Sequence, residues 1–283
     1  MKVWLLLCSL CVLSCGTEEL SLVKKQGPWP LSGEKTPDPV FSPFGPRIFK
    51  ESYGLSSGVY FKASPDQEVY SVEEGLIVKS VTKDNAKEDL GRLLVVAHKP
   101  LQDIIPHQTV YGGLSSFSVK KGDYVQKGDL LGFVSDTGVG ESQLYFEYRQ
   151  NITGHSLEEW KSVHPLKILP CDPQPPSVSL VRRAQDLELV LSQEGPCLDV
   201  FGFEVYAWKK QRIVIDFESR MGLDSSLTTP SKVYEGVDMN PVFDSTTQTW
   251  KLTVYISGEW SSVSEVGLNV KRIGKVEEFS FSL

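Results

Sequence analysis

The sequence predicts an all-β protein, a compact β-sandwich (a barrel-sandwich hybrid) followed by an immunoglobulin-like β-sandwich. Three observations predict it. After the N-terminus no helical period persists for a useful length, while short runs rich in Val, Ile, Leu, Phe and Tyr recur between Gly, Pro, Asp and Ser. A proline-dense break, Pro170-Cys171-Asp172-Pro173-Gln174-Pro175-Pro176, splits these runs into two sets, because four prolines in seven residues cannot continue a strand ladder. A chain of 283 residues has room for two ordinary cores.

The elements follow in order. Met1-Lys2 is a short basic start, and the apolar run Val3 to Leu13 is too short to span a bilayer as a helix, which needs about 20 residues. It fits the apolar region of a secretory leader over residues 1–15. Val12-Leu13-Ser14-Cys15 resembles a lipobox, so Cys15 is the expected lipidation site and the new N-terminus. Residues 16–41 are polar and carry Pro28, Pro30, Pro37 and Pro39, which reads as a flexible tether.

The first set of strand candidates comprises Val59-Tyr60-Phe61, Glu68-Val69-Tyr70, Leu76 to Val81, Leu93 to Ala97, Thr109 to Tyr111, Leu130 to Val134 and Leu144 to Tyr148. Among them sits a repeat, Val119-Lys-Lys-Gly122-Asp123 and Val125-Gln-Lys-Gly128-Asp129. Each half supplies a Lys-Gly-Asp turn in which glycine takes a positive φ without steric cost. Paired turns of this kind also occur in lipoyl and biotinyl carriers, but no lysine here stands at a hairpin tip within a carrier motif, so the repeat is architectural. The second set comprises Val178 to Val181, Leu187 to Leu191, Phe203 to Trp208, Ile213 to Phe217, Trp250 to Ile256, Val266 to Val270 and Phe279 to Phe281. About seven short strands with polar turns predict an immunoglobulin-like sandwich, although the usual inter-sheet disulfide is not recognisable.

Hydrophobic content of 40% and charged content of 23% are those of a globular protein. The net charge of −7, which loses Lys2 with the leader, excludes a nucleic-acid partner that would need a cationic face. Cys8 and Cys11 leave with the leader, so Cys171 and Cys197 remain. In an oxidising compartment they are a disulfide candidate, with two buried thiols as the alternative.

A longer pattern runs from Ser42 to Pro170. Ser42-Pro43-Phe44-Gly45-Pro46-Arg47, then Val69 to Val78, the hairpin Val119 to Gly132, Leu144-Tyr145-Phe146-Glu147-Tyr148-Arg149 and His164-Pro165-Leu166-Lys167-Ile168-Leu169-Pro170 occur in unbroken order. In that order they resemble the LytM/lysostaphin-type family of zinc endopeptidases, which cleave peptidoglycan. The resemblance implies a LytM-like duplicated hybrid motif over residues 42–170, with residues 171–283 as the immunoglobulin-like domain.

Active members of that family use a His-x-x-x-Asp pair, a Tyr-x-His-Leu and a His-x-His. The last works because residues i and i+2 of a strand share a face, and three protein ligands with one open position make a catalytic zinc site. At the matching positions this chain has Ser56 and Tyr60, Gly113 (within Tyr111-Gly112-Gly113-Leu114), Gln143 and Tyr145. None is a good zinc ligand: glycine offers no donor, hydroxyl and amide are weak and neutral, and a phenol must lose a proton with a pKa near ~10. The expectation is therefore a pseudoenzyme with no catalytic residues, metal or cofactor. His98 ends a strand, Leu94 to His98, where the resemblance implies a histidine that is not a metal ligand; His107 and His155 fall in loops and His164 in the closing aspartate's place, no two at i, i+2 or i, i+4, so they are expected as surface or turn histidines.

Degenerate relatives with a tyrosine in place of the histidine strand activate cell-wall amidases by binding a partner helix in the emptied groove. The resemblance thus implies a non-catalytic cell-envelope lipoprotein that regulates or scaffolds peptidoglycan remodelling, with a cell-wall amidase or peptidoglycan as partner. Ser56, Tyr60, Gly113, Gln143 and Tyr145 would form the partner-binding groove. One alternative is an envelope adaptor that binds partners through its C-terminal sandwich. Another is a residual zinc endopeptidase with unconventional ligands. In each case the protein is expected outside the cytoplasm, anchored by lipid to a membrane and facing the periplasm or the surface.

Overall fold

The computed structural model describes residues 28–31, 33, 40–42, 44–49, 52–82, 90–98, 106–136, 142–151, 160–183, 186–207, 212–216, 242–257 and 265–282. The leader and Cys15 lie outside the described residues. No helix among the described residues is long and apolar enough to cross a membrane.

The N-terminal part is built from β1 (Val40–Ser42), β2 (Gly45–Phe49), β3 (Ser52–Ser56), β4 (Val59–Lys62), β5 (Glu68–Tyr70), β6 (Gly75–Val81), β7 (Arg92–His98), β8 (His107–Phe117), β9 (Tyr124–Val125), β10 (Leu130–Val134), β11 (Gln143–Asn151) and β12 (Trp160–Val163). Its main sheet runs β1-β4-β11-β8-β7-β6-β9; β12 extends it beside β11, and β10 bridges β5 and β8. β2 and β3 form a separate hairpin. All pairings are antiparallel, and each strand shows two faces. Leu94 and Val96, Tyr111, and Leu144 and Phe146 point into the main core together with Phe61, Ile77 and Leu131. The intervening Leu93 and Val95, Val110 and Tyr145 form a smaller cluster on the opposite face with Tyr60 and Leu90.

The Lys-Gly-Asp repeat folds as two equivalent turns. Gly122 and Gly128 have φ of +96° and +85°. In each turn an aspartate accepts the backbone N–H three residues earlier, Asp123 from Lys120 at 3.0 Å and Asp129 from Gln126 at 2.7 Å. The same turns bond the sheet: Gly122 donates to the Ile77 carbonyl at 2.8 Å, and Gly128 to that of Ser71 at 2.7 Å.

Part of the segment read as a tether is a correction. Trp29 is fully buried and Leu31 nearly so, both within the first core. The indole packs edge-on against Phe61 with centroids 5.8 Å apart, and the Pro30 carbonyl accepts the Tyr70 N–H at 2.7 Å. A prolyl segment with one large aromatic can dock on a sheet edge as well as float, and composition does not distinguish the two.

The C-terminal part has β13 (Ser177–Arg183), β14 (Asp186–Glu194), β15 (Val200–Ala207), β16 (Arg212–Asp216), β17 (Val242–Asp244), β18 (Thr249–Ser257), β19 (Glu265–Arg272) and β20 (Lys275–Ser282). One sheet is ordered β13-β14-β18-β17 and the other β16-β15-β19-β20. With strands lettered in chain order these are the A-B-E-D and C′-C-F-G sheets of an immunoglobulin-like sandwich. Leu187, Leu189 and Leu191 on β14, Trp250 and Leu252 on β18, and Val266, Leu268 and Val270 on β19 alternate inward.

The two parts are stitched at the proline break. Cys171 and Cys197 are disulfide-bonded with Cα atoms 6.4 Å apart, and both belong to the first core. Arg272, buried on β19, holds Asp199 at 2.8 Å and donates to the carbonyls of Pro173 and Gln174 at 3.1 and 3.0 Å. The proline segment is thus fastened at Pro173 and Gln174 to the second sandwich.

Candidate functional site

The five positions matched to the family's zinc-ligand and assisting residues lie near one another, on the face opposite the main core. Tyr145 of β11 pairs with Tyr60 of β4 on one side and Gly112 of β8 on the other. Gln143 shares the Tyr145 face two residues earlier. Ser56 ends β3, with its hydroxyl donating to the Gly58 carbonyl at 2.7 Å.

The backbone leaves no room for side chains at two glycines beside these positions. Gly113 has φ +78°, and a Cβ there would sit 2.6 Å from the Gln143 carbonyl oxygen. A Cβ on Gly58 would meet the Phe146 carbonyl at 2.5 Å and the Tyr145 ring at 2.7 Å. The Tyr145 ring therefore occupies space beside the first pair of positions, where it packs on Tyr60 with centroids 5.0 Å apart. Gly113→His is expected to destabilise the protein by at least about 2 kcal/mol, from left-handed backbone strain plus overlap. An unchanged urea midpoint would contradict this.

The electrostatics point the same way. Burial first, then the neighbouring Glu147 carboxylate, push the Tyr145 phenol far above its ordinary range. Its hydroxyl donates to Glu147 at 2.9 Å. Glu147 is itself buried and fully engaged, accepting from Arg149 Nε at 2.8 Å, Arg149 Nη2 at 2.7 Å and the Ser162 hydroxyl. The Tyr145 hydroxyl is thereby tied to the Glu147 carboxylate rather than presented to the groove.

Burial corrects the picture of an open groove floor. Ser56 and Tyr145 are both only 6% exposed, whereas Tyr60 and Gln143 are half-buried. A partner approaching this face would meet Tyr60 and Gln143, with Tyr145 as support beneath them.

The histidines also need correction. His98, His107 and His164 are all buried, at 5%, 3% and 6% exposure; His155 lies outside the described residues. His164 caps the 3-10 turn Pro165–Lys167, its Nδ1 accepting the Leu166 N–H at 3.3 Å. His98 ends β7 and His107 begins β8, and the two are directly paired across the ladder. Their rings stack 5.0 Å apart on the core side of the sheet, and the Glu73 carboxylate reaches His107 Nε2 at 2.8 Å. Burial works to raise the Glu73 carboxyl, but the His107 hydrogen bond and the nearby charges of His98, His107 and Lys127 outweigh it and hold the carboxyl below its usual range. Burial pushes the His98 imidazole down. Glu73, His98 and His107 are the one group of three metal-ligating side chains that converges among the described residues. A signal was present in the sequence: His98 and His107 flank one connection between adjacent strands, which antiparallel pairing brings face to face.

With this geometry established, comparisons with known proteins place it. The sequence model of peptidase family M23 matches residues 54–158. The cell division protein DipM of Caulobacter vibrioides is 32% identical over 143 residues, which is 50% of this chain and 20% of that protein. The chain thus spans about a fifth of that relative's length. Among solved structures, the catalytic domain of lysostaphin from Staphylococcus simulans aligns with 22% identity and a TM-score of 0.38, over 47% of this chain and 93% of that one. The SpoIIQ–SpoIIIAH pore-forming complex aligns with 22% identity and a TM-score of 0.38, over 51% of this chain and 91% of that one.

Proposed function

We propose, from the match of residues 54–158 to peptidase family M23, that the protein is a non-catalytic cell-envelope lipoprotein that regulates peptidoglycan remodelling by binding a cell-wall amidase. In this reading residues 1–15 are a leader, Cys15 carries the lipid, residues 42–170 are the degenerate M23-type domain and residues 171–283 a second domain that holds it in place. The protein faces the periplasm or the surface. The name of the DipM relative, a cell division protein, supports a place in envelope remodelling.

One observation carries the proposal. Tyr145 stands where the family has a histidine, packed on Tyr60 and tied through its hydroxyl to Glu147. That arrangement supports a groove used for recognition, with the half-buried Tyr60 phenol and Gln143 amide at its edge. Tyrosine combines apolar area with a polar tip at low entropic cost, which suits protein recognition.

The test adds the protein to cell-wall amidases from the same envelope, acting on purified sacculi. Amidase rates are expected to rise severalfold, Tyr60→Ala to remove most of that rise, and the protein alone to release no muropeptides. Rates that never move, or chelator-sensitive hydrolysis by the protein itself, would overturn the proposal.

A further inference from the structure

We infer that Glu73, His98 and His107 form a binding site for a divalent transition-metal ion, of which Zn²⁺ is the model, that pins the β5–β6 turn to the paired ends of β7 and β8. The site lies on the core face of the sheet. It is distinct from the groove around Tyr145, and the inference does not depend on the function proposed for that groove.

The ligand atoms are already gathered. Glu73 Oε2 lies 2.8 Å from His107 Nε2 and 3.9 Å from His98 Nδ1, and all three atoms fall within 4.8 Å of one another. A tetrahedral ion with bonds of about 2.0–2.2 Å separates its ligand atoms by about 3.4 Å, a value the observed separations bracket. The Glu74 carbonyl oxygen, 2.8 Å from His98 Nδ1, stands beside the same space as a fourth donor. Two imidazoles with a carboxylate are a donor set suited to zinc and its neighbours rather than to Mg²⁺ or Ca²⁺.

The contacts around His98 fit that role. The Ser71 hydroxyl donates to the Glu73 carbonyl at 2.7 Å and holds the turn that carries the carboxylate. His98 Nε2 lies 2.8 Å from Thr109 Oγ1, which fixes the plane of the ring, and Nδ1 faces the space shared with Glu73 and His107. With an ion at Nδ1, the ring proton sits on Nε2 and is donated to Thr109 Oγ1. This is the pattern of a metal-bound histidine whose second ring nitrogen is oriented by a fixed partner, here Thr109.

Gly75 keeps that space clear. A Cβ there would lie 2.5 Å from the Ala97 carbonyl oxygen and 3.0 Å from His98 Nδ1. On binding the ion, His107 Nε2 exchanges its hydrogen bond to Glu73 for a coordinate bond, and its proton moves to the other ring nitrogen or to solvent.

The test uses the full chain, stripped of metal with a chelator and titrated with Zn²⁺ alone. One equivalent is expected to bind at micromolar concentration or tighter and to raise the Tm, and Co²⁺ in its place should give the visible absorption of a four-coordinate site. Loss of an outer-shell partner costs about 10–100-fold in metal affinity, so Glu73→Gln and His107→Ala are expected to weaken binding by at least the upper end of that range. Gln143→Ala in the groove should leave it unchanged. Should the cluster variants fail to fold, imidazole nitrogen shifts of the wild-type protein decide: added Zn²⁺ must move the His98 Nδ1 and His107 Nε2 resonances and leave His164 in place. Absence of stoichiometric binding by the folded protein, binding indifferent to both substitutions, or unmoved His98 and His107 resonances overturns the inference.

Discussion

Trp29→Ala is expected to cost about 3–5 kcal/mol, the range for deleting a large buried aromatic. Trp29 is fully buried, lies edge-on to Phe61 and belongs to the same core as Leu94, Tyr111 and Phe146. Its loss also loosens Pro30, whose carbonyl accepts the Tyr70 N–H, and Gly33, whose Cα side lies over the Tyr70 ring. A more discriminating variant is Trp29→Phe. The indole Nε1 finds no acceptor among the described residues, and a buried unpaired donor carries a penalty of about 1–3 kcal/mol. Phenylalanine removes that donor while retaining most of the apolar area, so it should cost far less than alanine in urea unfolding. Equal losses for both variants would mean that a phenyl ring recovers none of the packing of the indole. Trimming the chain to begin after Leu31 should reproduce the alanine result. There is a functional consequence under the proposed lipidation of Cys15. Thirteen residues separate Cys15 from Trp29, and at about 3.5 Å each they reach at most about 45 Å, so a lipid on Cys15 would hold the first core within that distance of a membrane.

The strands legible in advance were those with internal apolar periodicity. Leu93 to Ala97 and Leu187 to Leu191 lie within β7 and β14, and the two Lys-Gly-Asp turns fall where glycine and aspartate chemistry puts them. The hairpin β2–β3, the two-residue β9, the edge strand β12 and the short β17 were not anticipated. Trp160-Lys161-Ser162-Val163 has no alternation to reveal; it is a strand because β11 offers it a ladder, from Tyr148↔Val163 to Asn151↔Trp160. Tertiary pairing of that kind leaves little trace in local composition.

The same division holds at the site. The residues at positions 56, 60, 113, 143 and 145 were read from the sequence as one groove, and the structure sets Tyr60 beside Tyr145 and Gly113 beside Gln143. What could not be read was burial. Tyr145 and Glu147 alternate on one strand face like solvent-facing residues, yet Arg149 and Ser162 close over the carboxylate and draw the tyrosine hydroxyl inward. His98 and His107 were misjudged for a related reason. Nine residues apart, they fit no ligand spacing, and they became neighbours only through the register of β7 and β8. Spacing rules cover contacts within one strand or helix; a site assembled across a ladder also needs the pairing of the strand ends that flank one connection, here His98 with His107.

Arg272→Met should destabilise the C-terminal sandwich by about 3–5 kcal/mol, the range for removing one partner of a buried ion pair. Arg272 and Asp199 are 3% and 2% exposed, and the guanidinium Nε meets both carboxylate oxygens, at 2.8 and 3.1 Å. Methionine fills similar volume, so the loss reads the polar network rather than a cavity. Asp199 would be left with Gln193, whose amide donates to it at 2.7 Å, as its remaining side-chain partner. The carbonyls of Pro173 and Gln174 would lose the donors on Arg272 Nη2. The double variant Arg272→Met with Asp199→Leu is expected to recover part of the stability, because it removes the stranded charge as well. Additive losses in that cycle would show that the two residues act independently. A second readout locates the effect: with the disulfide intact, protease cleavage within residues 171–176 should accelerate in Arg272→Met, because this network fastens the proline segment to the second sandwich. If cleavage there is unchanged while global stability falls, Arg272 holds β19 alone, and the Cys171–Cys197 bridge is sufficient to seat the junction.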